Sequence, residues 1–209
     1  WRIGMVHELR PEDRPVSVLL DEALGGERVD ILIGGDTHIE RLDYRDGVIE
    51  GGLDLRRDIV RAIRRHRPEV IVTGAFTVRM VGGITNQADH RVVGLATLDA
   101  ARDAGNRWIF PELAEVGLQP WGGVRYVCFA GAEQPTHGVD VTGEPLERGI
   151  ASLAAHAEYT KGLGEGGFEP RPFLTWMAGM AGQALGVDAA VLFEVHTLAF
   201  EGPPPWEQG

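Results

Sequence analysis

The stretch LDLRRDIVRAIRRHRPEVIVTG, Leu53 to Gly74, constrains this chain more than any other. Leu55, Ile59 and Ile63 recur at i, i+4 and i+8 with Ala62 beside them, and arginines fill the other side. That spacing draws one apolar stripe along a helix. Gly51 and Gly52 precede the pattern and Pro68 follows it, marking both ends. Directly afterwards EVIVTGAF is apolar on both faces, as in the interior of a parallel sheet. A helix feeding such a strand points to a layered α/β architecture.

The rest of the chain fits the same alternation. RVDILIGG and VRYVCFAG read as buried strands, and AAVLFEV as a last one. A helix is expected over about Pro15–Leu24, closed by Gly25 and Gly26. Another opens at Asp89 and His90, and two more cover PLERGIASLAAHAEYTKGLG and RPFLTWMAGMAGQALG. There is no internal repeat and no dividing linker. The expectation is one domain over residues 1–201, with a flexible tail over 202–209. Its fold class is α/β, a three-layer Rossmann-like sandwich with a mostly parallel sheet.

Composition narrows the function. The formal charge is −11, which argues against nucleic acid or an anionic membrane surface as partner. Cys128 is the single cysteine, so neither an intrachain disulfide nor a cysteine metal cluster can form. No stretch approaches the ~18 apolar residues of a membrane span, and no signal-peptide pattern opens the chain. A cytoplasmic location is expected. GLGEGG at 162–167 follows a helix and opens none clearly, so it does not meet the dinucleotide fingerprint. G-x-S-x-G and P-loop motifs are absent.

In α/β folds, ligands sit where strands end and loops lead into helices. The stretch from Thr73 to His90 is such a loop. His90 could ligate zinc with Asp89 orienting a ligand or a water, or the pair could be a helix cap with an exposed first-turn residue. Gly82 and Gly83 could let backbone approach a ligand or simply turn a corner. Asn86 and Gln87 could hydrogen-bond a polar substrate or face solvent. Asp36 and His38, in GGDTH after the strand DILI, could reach a metal or form an Asx turn. His7 is a further candidate ligand. His137 reads as a turn residue, His156 as a half-buried helix histidine, and His196 ends a strand.

Several motifs in order carry a family resemblance. They are LDYRDGVIE, LRRDIVRAIRRHRPEVIVTG, NQADHRVVGLATLDAARDAGNRWIFPEL, GLQPWGGVRYV, PTHGVDVT and SLAAHAEY. From about Leu42 to the final strand, the chain resembles the PIG-L/LmbE-like zinc-dependent N-deacetylases. The resemblance implies a hydrolase that removes an acetyl group from an N-acetylated amino sugar or its conjugate. It implies zinc as cofactor and a small molecule as partner. The family's H-P-D-H motif stands here as Gln87-Ala88-Asp89-His90, so His90 matches the zinc ligand and Asp89 its acidic neighbour. Gln87 replaces a histidine that helps stabilise the transition state; Asn86 and Gly83 stay candidates for substrate contact on their loop chemistry alone. In such an enzyme zinc polarises the amide carbonyl and lowers the pKa of its bound water to about 7.

The family's opening A-H-P-D-D has no counterpart here. MVHELRPED holds His7, Glu8 and Asp13 but lacks the strand and the spacing. A missing first β-α-β stretch, a misplaced gene start and a diverged member without zinc all account for this. Two rivals remain beside the enzyme. One is a non-catalytic module of the same fold that binds the sugar conjugate. The other is a nucleotide-binding α/β protein, which the missing glycine fingerprint opposes.

Overall fold

The computed structural model describes residues 18–21, 29–33, 38–157, 162 and 169–199. Seven strands form one sheet: β1 (Val18–Asp21), β2 (Val29–Ile33), β3 (His38–Leu42), β4 (Val70–Gly74), β5 (Tyr126–Ala130), β6 (His137–Asp140) and β7 (Ala190–Thr197). Their spatial order is β3-β2-β1-β4-β5-β7-β6. The helices are α1 (Leu53–His66), α2 (Ala88–Asp103), the short α3 (Glu112–Glu115), α4 (Glu144–Ala155) and α5 (Pro170–Leu185).

The α/β class holds, but the mostly parallel sheet does not. Only β1–β4 and β4–β5 run parallel, and the other four of the six pairings are antiparallel. Four residues join β2 to β3, far too few for the crossover that parallel neighbours need. β7 then inserts between β5 and β6 and runs against both. The helix expected over Pro15–Leu24 is replaced, where the chain is described, by β1. His137 opens β6 instead of sitting in a turn.

α1 forms as its pattern demands. Leu55, Ile59 and Ile63 are each 1% exposed, Asp54 lies in the first turn, and Arg64, Arg65 and His66 lie in the last. Arg67 closes the helix in the left-handed conformation just before Pro68, its N–H bonded to the Ile63 carbonyl. α1 and α2 cover the sheet face that carries Ile71, Val127 and Phe129, all fully buried. On the same face a Cβ at Gly138 would collide with Leu185 of α5. The opposite face carries Val70 and Val72, half-buried, Cys128, which is buried beside Val72, and the exposed Val139 and Val191. β1, β4 and β5 step across the sheet in one direction, and right-handed crossovers then place their helices on one side.

The layer that bears the site is tightly drawn together. Gly94 of α2 packs so close to β4 that a Cβ there would lie 2.6 Å from the Gly74 carbonyl. Only a glycine lets the front half of α2 lie against the carboxyl end of β4. That contact brings residues 86–90 to the mouth of the sheet.

Candidate functional site

The loop from Ala75 to Gln87 is built over the carboxyl ends of β4 and β5. Ala75 N–H donates to the Ala130 carbonyl at 3.0 Å, and Val81 N–H to the Gly131 carbonyl at 2.9 Å. Between them the chain doubles back as a small hairpin, with an antiparallel bridge from Arg79 to Thr85. Gly82 and Gly83 form its tip at φ of 78° and 77°, where a side chain would be strained. Asn86 N–H closes the turn on the Val78 carbonyl at 2.8 Å.

Asn86 then organises the interior. Its side chain is 2% exposed. The amide nitrogen donates to the carbonyls of Ala75 and Thr77, and the amide oxygen lies 3.0 Å from Nδ1 of His90. With both amide hydrogens aimed at carbonyls, that oxygen can only accept. Nδ1 of His90 must therefore carry the hydrogen, which puts the lone pair of the neutral ring on Nε2. Metal-binding imidazoles are oriented by just such a bond from the other ring nitrogen.

Asp89 is turned away from this ring toward a different loop. One carboxylate oxygen accepts the Gly47 N–H and the other the Ile49 N–H at 3.2 Å, and the residue is 4% exposed. It anchors the connection between β3 and α1 to the front of α2. Gln87 is exposed at the N-cap position, with its carbonyl accepting the Arg91 N–H at 3.3 Å. Gly83 is exposed at the hairpin tip.

Among the described residues the structure brings no other candidate to this place. His38 is the first residue of β3, paired with Ile33, which lies at the end of the sheet where β4 begins. Asp36 and His7 lie outside the described residues. His196, half-buried, is held by Glu194 at 2.8 Å and by edge-on contacts with Phe129 and Phe76. His137 bonds the Thr136 hydroxyl, and His156 caps α4 on the Ser152 carbonyl. Among the described residues no group of three or more His, Cys, Asp or Glu is placed to hold a metal. A catalytic zinc takes three protein ligands, so these residues alone do not fit one.

One residue at the mouth was not foreseen. β1 runs parallel to β4 with Leu20 opposite Thr73, so its last residue, Asp21, ends beside Gly74. Its only signal in sequence is an acid closing the apolar run VLL ahead of Gly25-Gly26, and the helix expected there hid it.

No family model matches this chain, and no curated protein matches it. Solved structures do. An N,N'-diacetylchitobiose deacetylase from Pyrococcus horikoshii, complexed with its inhibitor, superposes with a TM-score of 0.64 at 19% identity. The likeness covers 80% of this chain and 60% of that one. A conserved protein from Thermus thermophilus superposes with a TM-score of 0.56 at 20% identity, over 77% of this chain and 66% of that one. This chain therefore spans less than two thirds of either length. At such identities the likeness establishes a deacetylase-like fold. Among the described residues no helix is long and apolar enough to cross a membrane.

Proposed function

We propose that this chain is an amide hydrolase of the N-deacetylase type, acting in the cytoplasm on an N-acetylated amino sugar or its conjugate. In this reading His90 and the loop over β4 and β5 form the acyl side of the site. The observation that carries it is the Asn86 clamp. A buried amide fixes the tautomer of an imidazole at the carboxyl ends of parallel strands, where ligands of α/β folds bind. The likeness in fold to the chitobiose deacetylase supports the substrate class.

Each residue then has a role. His90, oriented by Asn86, meets the substrate or contributes one ligand to a metal. Gln87, exposed at the start of α2, offers an amide donor to the oxygen of the acyl group as charge builds there. Asp89 is a positioning residue that keeps Gly47 and Ile49 beside the mouth. Gly83 and Asn86 shape the loop against the sugar. Zinc, when bound, would polarise the amide carbonyl, but His90 cannot hold it without partners from outside the described residues.

That shortage of ligands favours a second reading, a module that binds the sugar conjugate without hydrolysing it. One pair of measurements on the full chain separates them. Acetate release from N-acetylglucosamine conjugates is followed with added zinc and with chelator, and binding of the same conjugates is titrated by calorimetry. The hydrolase reading expects metal-dependent release that a His90→Ala variant loses. Binding unchanged by chelator, with no release, would select the module. Neither binding nor release would overturn both.

A further inference from the structure

Five polar side chains are buried among the described residues: Arg64, Thr73, Asn86, Asp89 and Thr97. Four of them have partners. Arg64 and Asn86 donate to backbone carbonyls, and Asp89 accepts the N–H groups of Gly47 and Ile49. The Thr97 hydroxyl donates to the Val93 carbonyl at 2.7 Å. Thr73, 2% exposed, is the exception, for among the described residues nothing hydrogen-bonds its hydroxyl. A buried hydroxyl without a partner is costly, and such an atom calls for a physical reason.

Its place in the fold supplies one. Thr73 precedes Gly74, the last residue of β4, the strand that runs parallel to both its neighbours. It lies on the face that carries Ile71 and is level with Leu20 of β1 and Phe129 of β5. Two residues further on, the Ala75 carbonyl accepts from the Asn86 amide. The hydroxyl thus stands at the carboxyl end of parallel strands, where ligands of α/β folds bind. Nor is it sealed. Among the described residues, the side-chain polar atoms wholly shut from solvent without a hydrogen bond belong to Arg56 and Asp103, which pair with each other at 2.7 Å. The Thr73 oxygen is not one of these, so the small part of the side chain that meets solvent includes it.

We propose that Thr73 is a substrate-binding residue whose hydroxyl hydrogen-bonds the amide of the N-acyl group and so selects N-acylated sugars. The inference rests on the function proposed above. Ile71 and Phe129, both fully buried, flank Thr73 on this face and offer no counter-charge. A phosphate or carboxylate brought here would lose its water without compensation. An amide is polar and uncharged, and a hydroxyl can donate to its oxygen or accept from its N–H.

The test titrates the full chain by calorimetry with the methyl glycosides of N-acetylglucosamine and of glucose, which differ in an acetamido group against a hydroxyl. Urea unfolding of the same proteins runs beside it. One buried hydrogen bond changes affinity about tenfold, so the wild type should prefer the N-acetylglucosaminide by about that factor. Thr73→Val exchanges the hydroxyl for a methyl group of the same shape and should bind the two glycosides alike. Its stability should move the other way. No partner is lost within the protein, so the urea midpoint should stay at the wild-type value or rise. Thr73→Ser keeps the hydroxyl and should keep the preference. A lower midpoint in Thr73→Val, or a preference that survives in it, gives the hydroxyl a structural role and overturns the inference. Equal affinity of the wild type for both glycosides overturns it too, while acetate release can still uphold the function. If neither glycoside binds, the functional reading has failed first and the role of Thr73 falls with it.

Discussion

At its C-terminal end α2 runs into a loop whose carbonyls converge on Arg64, and at its N-terminal end it begins under a loop whose carbonyls converge on Asn86. Arg64 is 3% exposed and donates to Ala104, Asn106, Ile109 and Phe110 at 2.9 to 3.1 Å. Asn86 donates to Ala75 and Thr77. Both ends satisfy buried backbone oxygens with one polar side chain. They differ in where the network stops. The guanidinium ends on carbonyls alone, a closed piece of framework. The amide of Asn86 reaches beyond carbonyls to an imidazole, the ring of His90. The same device that builds a scaffold at one end prepares a reactive group at the other.

The largest effect should come from the framework end. Arg64→Met keeps the apolar stem but leaves the Ile109 carbonyl without its donor and the Ala104, Asn106 and Phe110 carbonyls with only their backbone N–H partners, which should cost about 3–5 kcal/mol in urea unfolding. Ligand binding by the fraction still folded should not change. A variant that unfolds normally but loses sugar affinity would break the distinction between the two ends.

Asp89→Asn probes the mouth and should cost less, about 1–3 kcal/mol. The carboxylate accepts from both Gly47 and Ile49, whereas an amide can accept from one and must turn its NH2 toward the other. Here stability and binding should fall together, because the loosened segment borders the site. Calorimetric titration at a temperature where the variant is fully folded checks this. Unchanged affinity would place Asp89 with Arg64, in the framework.

How much of this could be read in advance depended on how local each feature is. The α1 stripe of Leu55, Ile59 and Ile63 and the two-sided run of β4 are properties of their own residues, and both formed where the pattern put them. So did the position of Asp89 and His90 at a helix start beyond a strand. Strand direction is not local. Nothing within VDILI or AVLFEV says whether its neighbour runs with it or against it, so the mostly parallel sheet was an inference from alternation alone. Val18, Leu19 and Leu20 suit a short strand or a helix equally, and pairing with β2 and β4 decides. HGVD is a strand only because β7 lies beside it. In the site, the sequence left Asn86 and Gln87 open alike, and it did not show that Asn86 is the one that is buried. It depends on a hairpin folding back onto Ala75 and Thr77, which no spacing encodes.

The smallest effect tests the framework end by pH. Glu40 of β3 is joined to His66 of α1 at 2.8 Å and to Arg65 beside it. Burial alone would raise the Glu40 carboxyl, but hydrogen bonds and charge from His66 and Arg65 outweigh it and hold it below the ordinary 4.5. A depressed carboxyl contributes stability that is fully present above the unfolded value and is lost as pH falls through the folded one. Removing it in Glu40→Gln should therefore lower stability at pH 7 by less than about 1 kcal/mol, since the pair is partly open to solvent. The gap between variant and wild type should then narrow as pH drops below 4.5. Urea midpoints at pH 7 and pH 3 measure it, and a gap that persists undiminished at pH 3 would deny the ion pair its part. Glycoside binding near neutral pH should be the same for both proteins, because β3 meets α1 here at its C-terminal turn, away from the loop that carries Asn86. A change in binding instead would mean that the two ends are mechanically coupled through α1 and α2.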